Sequence, residues 1–333
     1  MKKAKTVVLC KERDVTLTPW LAEKQKPCFL ILPGGAYRNC AESEGVPVAK
    51  ILNEKGYSAF ILRYSVGKHY RWPLPLEDFE AAMNCLQAHS EDWYIDPNCI
   101  VTIGFSAGGH LAAVAASAAS PRPYAAVICY GAISRETLDY CAPDAPDAAS
   151  LVNDTTRPCF LASSRNDWIV PIENTTNLMT ALQRYDIDYE AHVYGYALHG
   201  FSVGEPAGAT GPLFCSRVGN WVQDCLQWLE ELTSGRYNSI RQRAQYQDAH
   251  NTCLSVANSC ALLERYPEAM AMIKRKFPVQ YLLYTTARQK IGDFMDTVSL
   301  KNLYQLLKVS DKTLERMDQA LACYPILREM EEV

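Results

Sequence analysis

The segment that most constrains this chain is Gly104-Phe105-Ser106-Ala107-Gly108-Gly109-His110. The apolar run Ile100-Val101-Thr102-Ile103 leads into it and an alanine-rich stretch, Ala107 to Ala118, leads out. A Gly-x-Ser-x-Gly pattern alone is common by chance. Set between a buried strand and a helix, it requires a sharp reversal with the serine at the apex. Gly104, Gly108 and Gly109 leave room for that reversal and let the helix lie close to neighbouring strands. Ser106 Oγ is then expected above the sheet edge at a helix N-terminus, where developing negative charge is favoured. The competing account is a serine that caps a packed helix.

Upstream, Cys28-Phe29-Leu30-Ile31-Leu32 runs into Pro33-Gly34-Gly35-Ala36-Tyr37. Unbroken apolarity predicts a strand covered on both faces. Gly-Gly after a strand is ordinary turn chemistry on its own. Ahead of a serine elbow it suits a loop whose backbone N–H groups face a tetrahedral oxyanion. The expected hole combines the N–H of Gly35 or Ala36 with that of Ala107, the residue after the nucleophile.

A serine of this kind needs a base, and the chain has six histidines. His199 follows the last predicted strand, Tyr189 to Tyr194, where a loop can reach Ser106. His110 lies one helical turn past the serine and is expected to point away. His192 falls within a strand, His69 beside Tyr70 and Trp72 fits a pocket, and His89 and His250 read as surface positions. The acid that orients His199 is expected at Asp167, directly after the predicted strand Cys159 to Ala162, giving the order Ser, Asp, His. Its competitors are an Asx-turn role for Asp167 itself and the carboxylates Asp139, Asp144 and Asp147. Asp78, at a helix start, reads as charge placed on the macrodipole.

Strand-like and helix-like segments alternate up to about Ser234, which predicts an α/β fold: a mostly parallel central sheet with helices on both faces. Val7 to Leu9 and Val15 to Leu21, with no helix between them, predict an antiparallel edge. From Arg236 the alternation stops and leucines recur at helical spacing. Of the chain's 33 basic and 37 acidic residues, that tail holds 14 and 11. Two domains are expected, 1–235 catalytic and 236–333 an all-helical C-terminal module, consistent with roughly 150 residues per domain. The stretch Gly204 to Pro212 fits either a lid or a plain loop.

No apolar run approaches the roughly 18 to 20 residues that cross a bilayer, so no membrane association is expected. A net charge of −4 gives no reason to expect nucleic acid. The 13 cysteines are scattered and lack any Cys-x-x-Cys pair, so no metal site is expected. Free thiols inside apolar runs fit a reducing cytoplasm.

Residues 1–234 resemble the α/β-hydrolase superfamily. Within it they are similar to the bacterial acetyl-xylan-esterase-like, carbohydrate-esterase branch that is grouped with dienelactone-hydrolase-like proteins. The matching pieces are Pro33 to Tyr37, Glu44-Gly45 through Gly56-Tyr57, Tyr64, Pro73 to Asp78, the elbow, Asp167 and His199-Gly200-Phe201. Ala36 stands where many relatives have a third glycine, a small change where only the backbone N–H is used. Pro33 stands where lipase-like relatives carry histidine, which argues against a close lipase relationship. The resemblance implies hydrolysis of short-chain carboxylic esters, often acetyl groups on xylan-derived sugars, with no cofactor.

Tyr37, Trp72 and Trp168 flank these segments and suit a sugar ring, although loop aromatics serve equally as caps on a core. The expected partner is a small acyl ester, such as an acetylated oligosaccharide. The helical tail is a candidate surface for a homo-oligomer. The rivals are a serine peptidase on the same fold and a scaffold protein carrying an idle hydrolase domain.

Overall fold

The computed structural model describes residues 2–3, 5–23, 27–204, 215–233, 247–248 and 250–327. The 204–212 stretch, beyond Gly204 itself, and the expected 235/236 boundary lie outside them. The chain divides into two compact units, Met1–Leu229 and Glu230–Val333.

The first unit is built on a sheet of nine strands: β1 Lys2–Lys3, β2 Val7–Cys10, β3 Val15–Leu21, β4 Cys28–Leu32, β5 Ala59–Arg63, β6 Ile100–Phe105, β7 Ala125–Cys129, β8 Cys159–Ser164 and β9 Tyr189–Tyr194. Their order is β1-β3-β5-β4-β6-β7-β8-β9, with β2 paired to β3 off that path. From β5 through β9 every pairing is parallel, while β1, β2 and β5 all run antiparallel to β3. Every residue of β4, β6, β7 and β8 is buried, as both-faced cover requires. By contrast β3 begins with the alternating burial of a strand covered on one face.

Six helices accompany the strands among the described residues: α1 Val46–Glu54, α2 Leu74–Ala88, α3 Ala107–Ala118, α4 Arg135–Cys141, α5 Glu173–Arg184 and α6 Trp221–Thr233. Helix α1 buries Val48, Ala49 and Leu52, an i, i+1, i+4 stripe, and Gly56 at φ 85° turns the chain out of it. Helix α3 is buried from Ala107 to Ser117, and its small side chains let it lie against β6 and β7. The sequence pattern did not reveal α4, seven residues with one buried side chain, Leu138.

Asp78 corrects the reading of a charge placed on the macrodipole. Its side chain is buried, Oδ1 accepts from Arg13 Nη2 at 2.6 Å, and Oδ2 accepts the Ser65 N–H at 2.7 Å. Arg13 Nε also donates to Ser65 Oγ. Asp78 thereby ties the β2–β3 turn to α2 and the end of β5.

The second unit has its own core, including Leu254, Leu263, Met272, Tyr304, Leu314 and Met317. Its α-helices among the described residues are Cys260–Glu264, Pro267–Lys276, Pro278–Ile291, Leu300–Leu306 and Asp311–Leu321. Ser259 and Ser299 each cap a helix through the side chain and meet in a backbone bridge. Such caps contribute about 1 kcal/mol each.

Candidate active site

Because β4 and β6–β9 are parallel, their carboxyl ends share one edge of the sheet. That edge is where α/β folds gather binding groups. Ser106 leaves β6 there with φ 51° and ψ −115°, a conformation costing about 1–3 kcal/mol for a residue with a Cβ. The neighbours hold it. Ser106 N–H donates to the Cys129 carbonyl, and its own carbonyl accepts from the N–H groups of His110 and Ala132. The tight turn needs glycine at 108, where a Cβ would come within 2.0 Å of the Leu32 carbonyl oxygen.

His199 Nε2 lies 2.9 Å from Ser106 Oγ, and Nδ1 lies 2.7 Å from Asp167 Oδ2. A carboxylate only accepts, so Nδ1 carries the proton of the neutral ring and Nε2 accepts from the serine hydroxyl. Asp167 is buried, and its other oxygen accepts from the N–H groups of Ile169 and Val170 at 2.9 Å. Asn166 Oδ1 and Ser164 Oγ both accept from Ala197 N–H, joining the acid's loop to the histidine's. Ser106 is half-buried, and the His199 side chain keeps 13% of its surface exposed.

Gly34, the residue before the expected loop donors, lies against Ser106, and Ala107 follows the serine directly. Gly35, Ala36 and Tyr37 are consecutive positive-φ residues at 123°, 54° and 55°. Gly34 N–H is already bonded to Glu44 Oε2 at 2.7 Å. Among the described residues no protein oxygen accepts from the N–H of Gly35, Ala36 or Ala107. Ala107 begins α3, so its donor has no partner within the helix.

The competing carboxylates are engaged elsewhere. Asp139 pairs with Arg135, Asp144 accepts from Tyr70 O–H and Trp72 N–H, and Asp147 accepts from Arg135 N–H and Ala149 N–H. His192 stacks on Phe160, with ring centroids 5.0 Å apart. His69 is half-buried 3.8 Å from Asp14, and His89 and His250 are on the surface.

Of the three aromatics expected to meet substrate, Tyr37 is corrected. Its ring is 1% exposed and its hydroxyl lies 2.7 Å from His110 Nδ1, so it offers no face to a ligand. Trp72 is half-buried against the His110 ring. Trp168, next to Asp167, is 75% exposed.

His110 is buried too, with Nε2 2.8 Å from the Pro146 carbonyl. That carbonyl requires Nε2–H, which leaves Nδ1 to accept from Tyr37 O–H. Burial pushes its pKa down to about 4. Three further groups escaped the sequence reading: Glu44, Tyr130 and Asn166. Glu44 is buried with its pKa raised by burial, against the lowering effect of hydrogen bonds from Tyr130 and Gly34. Among the described residues no cluster of three or more His, Cys, Asp or Glu side chains is arranged to hold a metal ion. No described helix is long and apolar enough to cross a membrane.

A largely parallel sheet with a serine elbow and a histidine hydrogen-bonded to both that serine and an acid is the architecture of α/β hydrolases. Comparison with known proteins agrees. The BD-FAE family matches residues 14–125, and the Dienelactone hydrolase family matches 71–231.

The solved structure of MGS-M1, an alpha/beta hydrolase from a Medee basin deep-sea metagenome library, is 31% identical with a TM-score of 0.64, covering 69% of this chain and 97% of that one. An acetyl ester-xyloside bifunctional hydrolase from Caldicellulosiruptor lactoaceticus is 28% identical with a TM-score of 0.60, covering 69% and 96%. An acetylxylan esterase of Xylanibacter ruminicola is 24% identical over 63% of this chain and 46% of its own length. The chain spans less than half the length of the curated relatives it matches. The chain belongs to the α/β-hydrolase superfamily, and within it is similar to dienelactone-hydrolase-like and acetyl-xylan-esterase-like proteins.

Proposed function

We propose that the protein is a serine carboxylester hydrolase that removes short acyl groups, acetyl above all, from acetylated sugars or xylo-oligosaccharides. The observation that carries this reading is the unbroken chain from Ser106 Oγ through His199 to Asp167, at 2.9 and 2.7 Å.

Ser106 Oγ attacks the ester carbonyl while His199 Nε2 takes its proton. Asp167 holds the ring and stabilises the imidazolium. The oxyanion is received by the N–H of Ala107 together with that of Gly35 or Ala36. The imidazolium then protonates the leaving sugar hydroxyl. A water, deprotonated by the same nitrogen, attacks the acyl-enzyme and releases the acid with Ser106 restored. Apart from substrate and that water, every group in the proposed cycle is a protein side chain or backbone N–H, with no cofactor required.

The sugar assignment draws on two relatives whose names carry acetylxylan or acetyl ester-xyloside activity, and on the exposed ring of Trp168 beside the acid. Thirteen free thiols suit a reducing cytoplasm. The helical module from 236 onward is a candidate surface for self-association.

The test is acetate release from acetylated xylo-oligosaccharides by the protein and by Ser106→Ala. Release that disappears in the variant supports both parts of the reading. Cleavage of a chromogenic acetate alone, through Ser106, keeps the chemistry and removes the carbohydrate. Silence on both substrates overturns the enzyme reading.

A further inference from the structure

We propose that Glu44 is a positioning residue whose carboxylate ties the oxyanion loop to the histidine loop, setting the aim of the loop donors and placing a negative charge behind the base. The inference rests on the catalytic reading of Ser106 and His199 given above.

Glu44 is 4% exposed and lies directly under the loop that carries the oxyanion donors. Its Oε2 accepts Gly34 N–H at 2.7 Å, and its Oε1 accepts Tyr130 O–H at 2.8 Å. Tyr130 Oη in turn accepts Ser202 N–H at 3.0 Å, so the phenol's own proton must point to Glu44. Both carboxylate oxygens therefore face donors, an arrangement made for the ionised form.

Ser202 lies three residues past His199, and its Oγ donates back to the Ser43 carbonyl at 2.7 Å. Trp221 Nε1 holds the Ser202 carbonyl at 2.8 Å. The Tyr130 ring meets the His199 ring edge-on, with centroids 5.0 Å apart, and the Phe201 ring at 4.5 Å. Tyr130 and Ser202 both sit at positive φ, 39° and 45°, conformations held by this same network. One carboxylate thus joins the residue before the oxyanion donors to the residues flanking the base.

The titratable groups around Glu44 include His199, Tyr130, Tyr64, Cys40 and Cys129. Burial raises the pKa of the two phenols and two thiols, so they stay neutral. Asp167 meets His199 by a direct hydrogen bond, and Glu44 stands behind Tyr130, whose ring lies against the imidazole.

Glu44→Gln separates charge from shape. Its carbonyl can still accept from Gly34 N–H, and its amide N–H can donate to Tyr130 Oη. The experiment is kcat and KM for a soluble aryl acetate against pH, for the native protein, Glu44→Gln, Tyr130→Phe and Ser106→Ala. Removing a negative neighbour lowers the proton affinity of an imidazole. The acid limb of kcat/KM in Glu44→Gln is therefore expected to move down by about half a pH unit. Its kcat should fall about tenfold, with KM held within about twofold. Tyr130→Phe is expected to lower kcat similarly and leave the limb in place.

A purely structural glutamate would leave the Glu44→Gln limb unmoved, and that result overturns the proposal. Should Glu44→Gln fail to fold, an unchanged kcat in Tyr130→Phe overturns it instead. Ser106→Ala retaining activity would mark the failure of the catalytic reading itself, a separate outcome.

Discussion

Gly34 stands so close to Ser106 that a Cβ built on it would come within 2.8 Å of the serine's own Cβ. The same atom would meet the Phe105 carbonyl oxygen at 2.6 Å and Glu44 Oε2 at 2.8 Å. The loop proposed to hold the oxyanion and the proposed nucleophile are therefore in contact through a position with no side chain. Gly34→Ala must push the loop away from Ser106, and a displacement near 1 Å costs about 100-fold in rate. That loss in kcat/KM is expected, with folded-state circular dichroism retained. Native activity in a folded Gly34→Ala protein would contradict it.

Asp167→Asn retains the shape of the acid but presents an amide where the ring needs an acceptor. The imidazole is then free to adopt the wrong tautomer and loses its counter-charge. A fall in kcat of about 1,000- to 10,000-fold is expected near neutral pH. Steady-state kinetics with an aryl acetate checks it, and a loss below about tenfold would remove Asp167 from the triad.

His110 predicts a pH dependence of stability. It is neutral in the folded state, with a pKa pushed down by burial to about 4 against its ordinary 6.5. The unfolded chain takes up the proton first as the pH falls. The contribution is therefore complete above about pH 6.5 and is lost progressively toward pH 4. The loss amounts to about 3 kcal/mol over that window. In urea unfolding, His110→Asn should have a flatter pH profile there than the native protein. Parallel profiles would refute the assignment.

Arg13 is the partner that makes a buried Asp78 tolerable. Its side chain is 28% exposed and that of Asp78 is 2% exposed, so Arg13→Ala leaves a nearly dry carboxylate with one N–H donor. A cost of about 2–3 kcal/mol is expected, below the full cost of breaking an entirely buried pair because the arginine is partly solvated. Arg13→Ala and Asp78→Asn together should recover part of it in denaturant titrations. A cost under about 0.5 kcal/mol would show the pair to be a surface feature.

The elbow was legible because its requirements are local. Small residues, an entering apolar strand and a departing alanine-rich helix all lie between Ile100 and Ala118. The parallel core strands were legible for a similar reason: β4, β6, β7 and β8 are apolar along their length because both faces are covered. Glu44 was not. Glu42 and Glu44 stand two apart in one short 3-10 turn, yet one faces solvent and the other is buried, and no periodicity separates them. What singles out Glu44 is Tyr130, 86 positions away, and only the sheet order brings it there. Tyr37 reads as a ligand contact because it adjoins the expected oxyanion donors, but α3 places His110 against its hydroxyl and closes it off. Asp78 is similar, since its partner Arg13 lies 65 positions earlier, in a turn with no pattern of its own.

The most direct test of the central claim is to find which atom becomes covalently bound during turnover. The native protein is treated with a serine-reactive fluorophosphonate, digested, and the labelled residue located by mass spectrometry. His199→Ala and Asp167→Asn are treated in parallel. The account predicts one label per chain, on Ser106, with sharply slowed labelling in both variants. A label on another residue, or ester cleavage that continues while Ser106 stays unmodified, would contradict it.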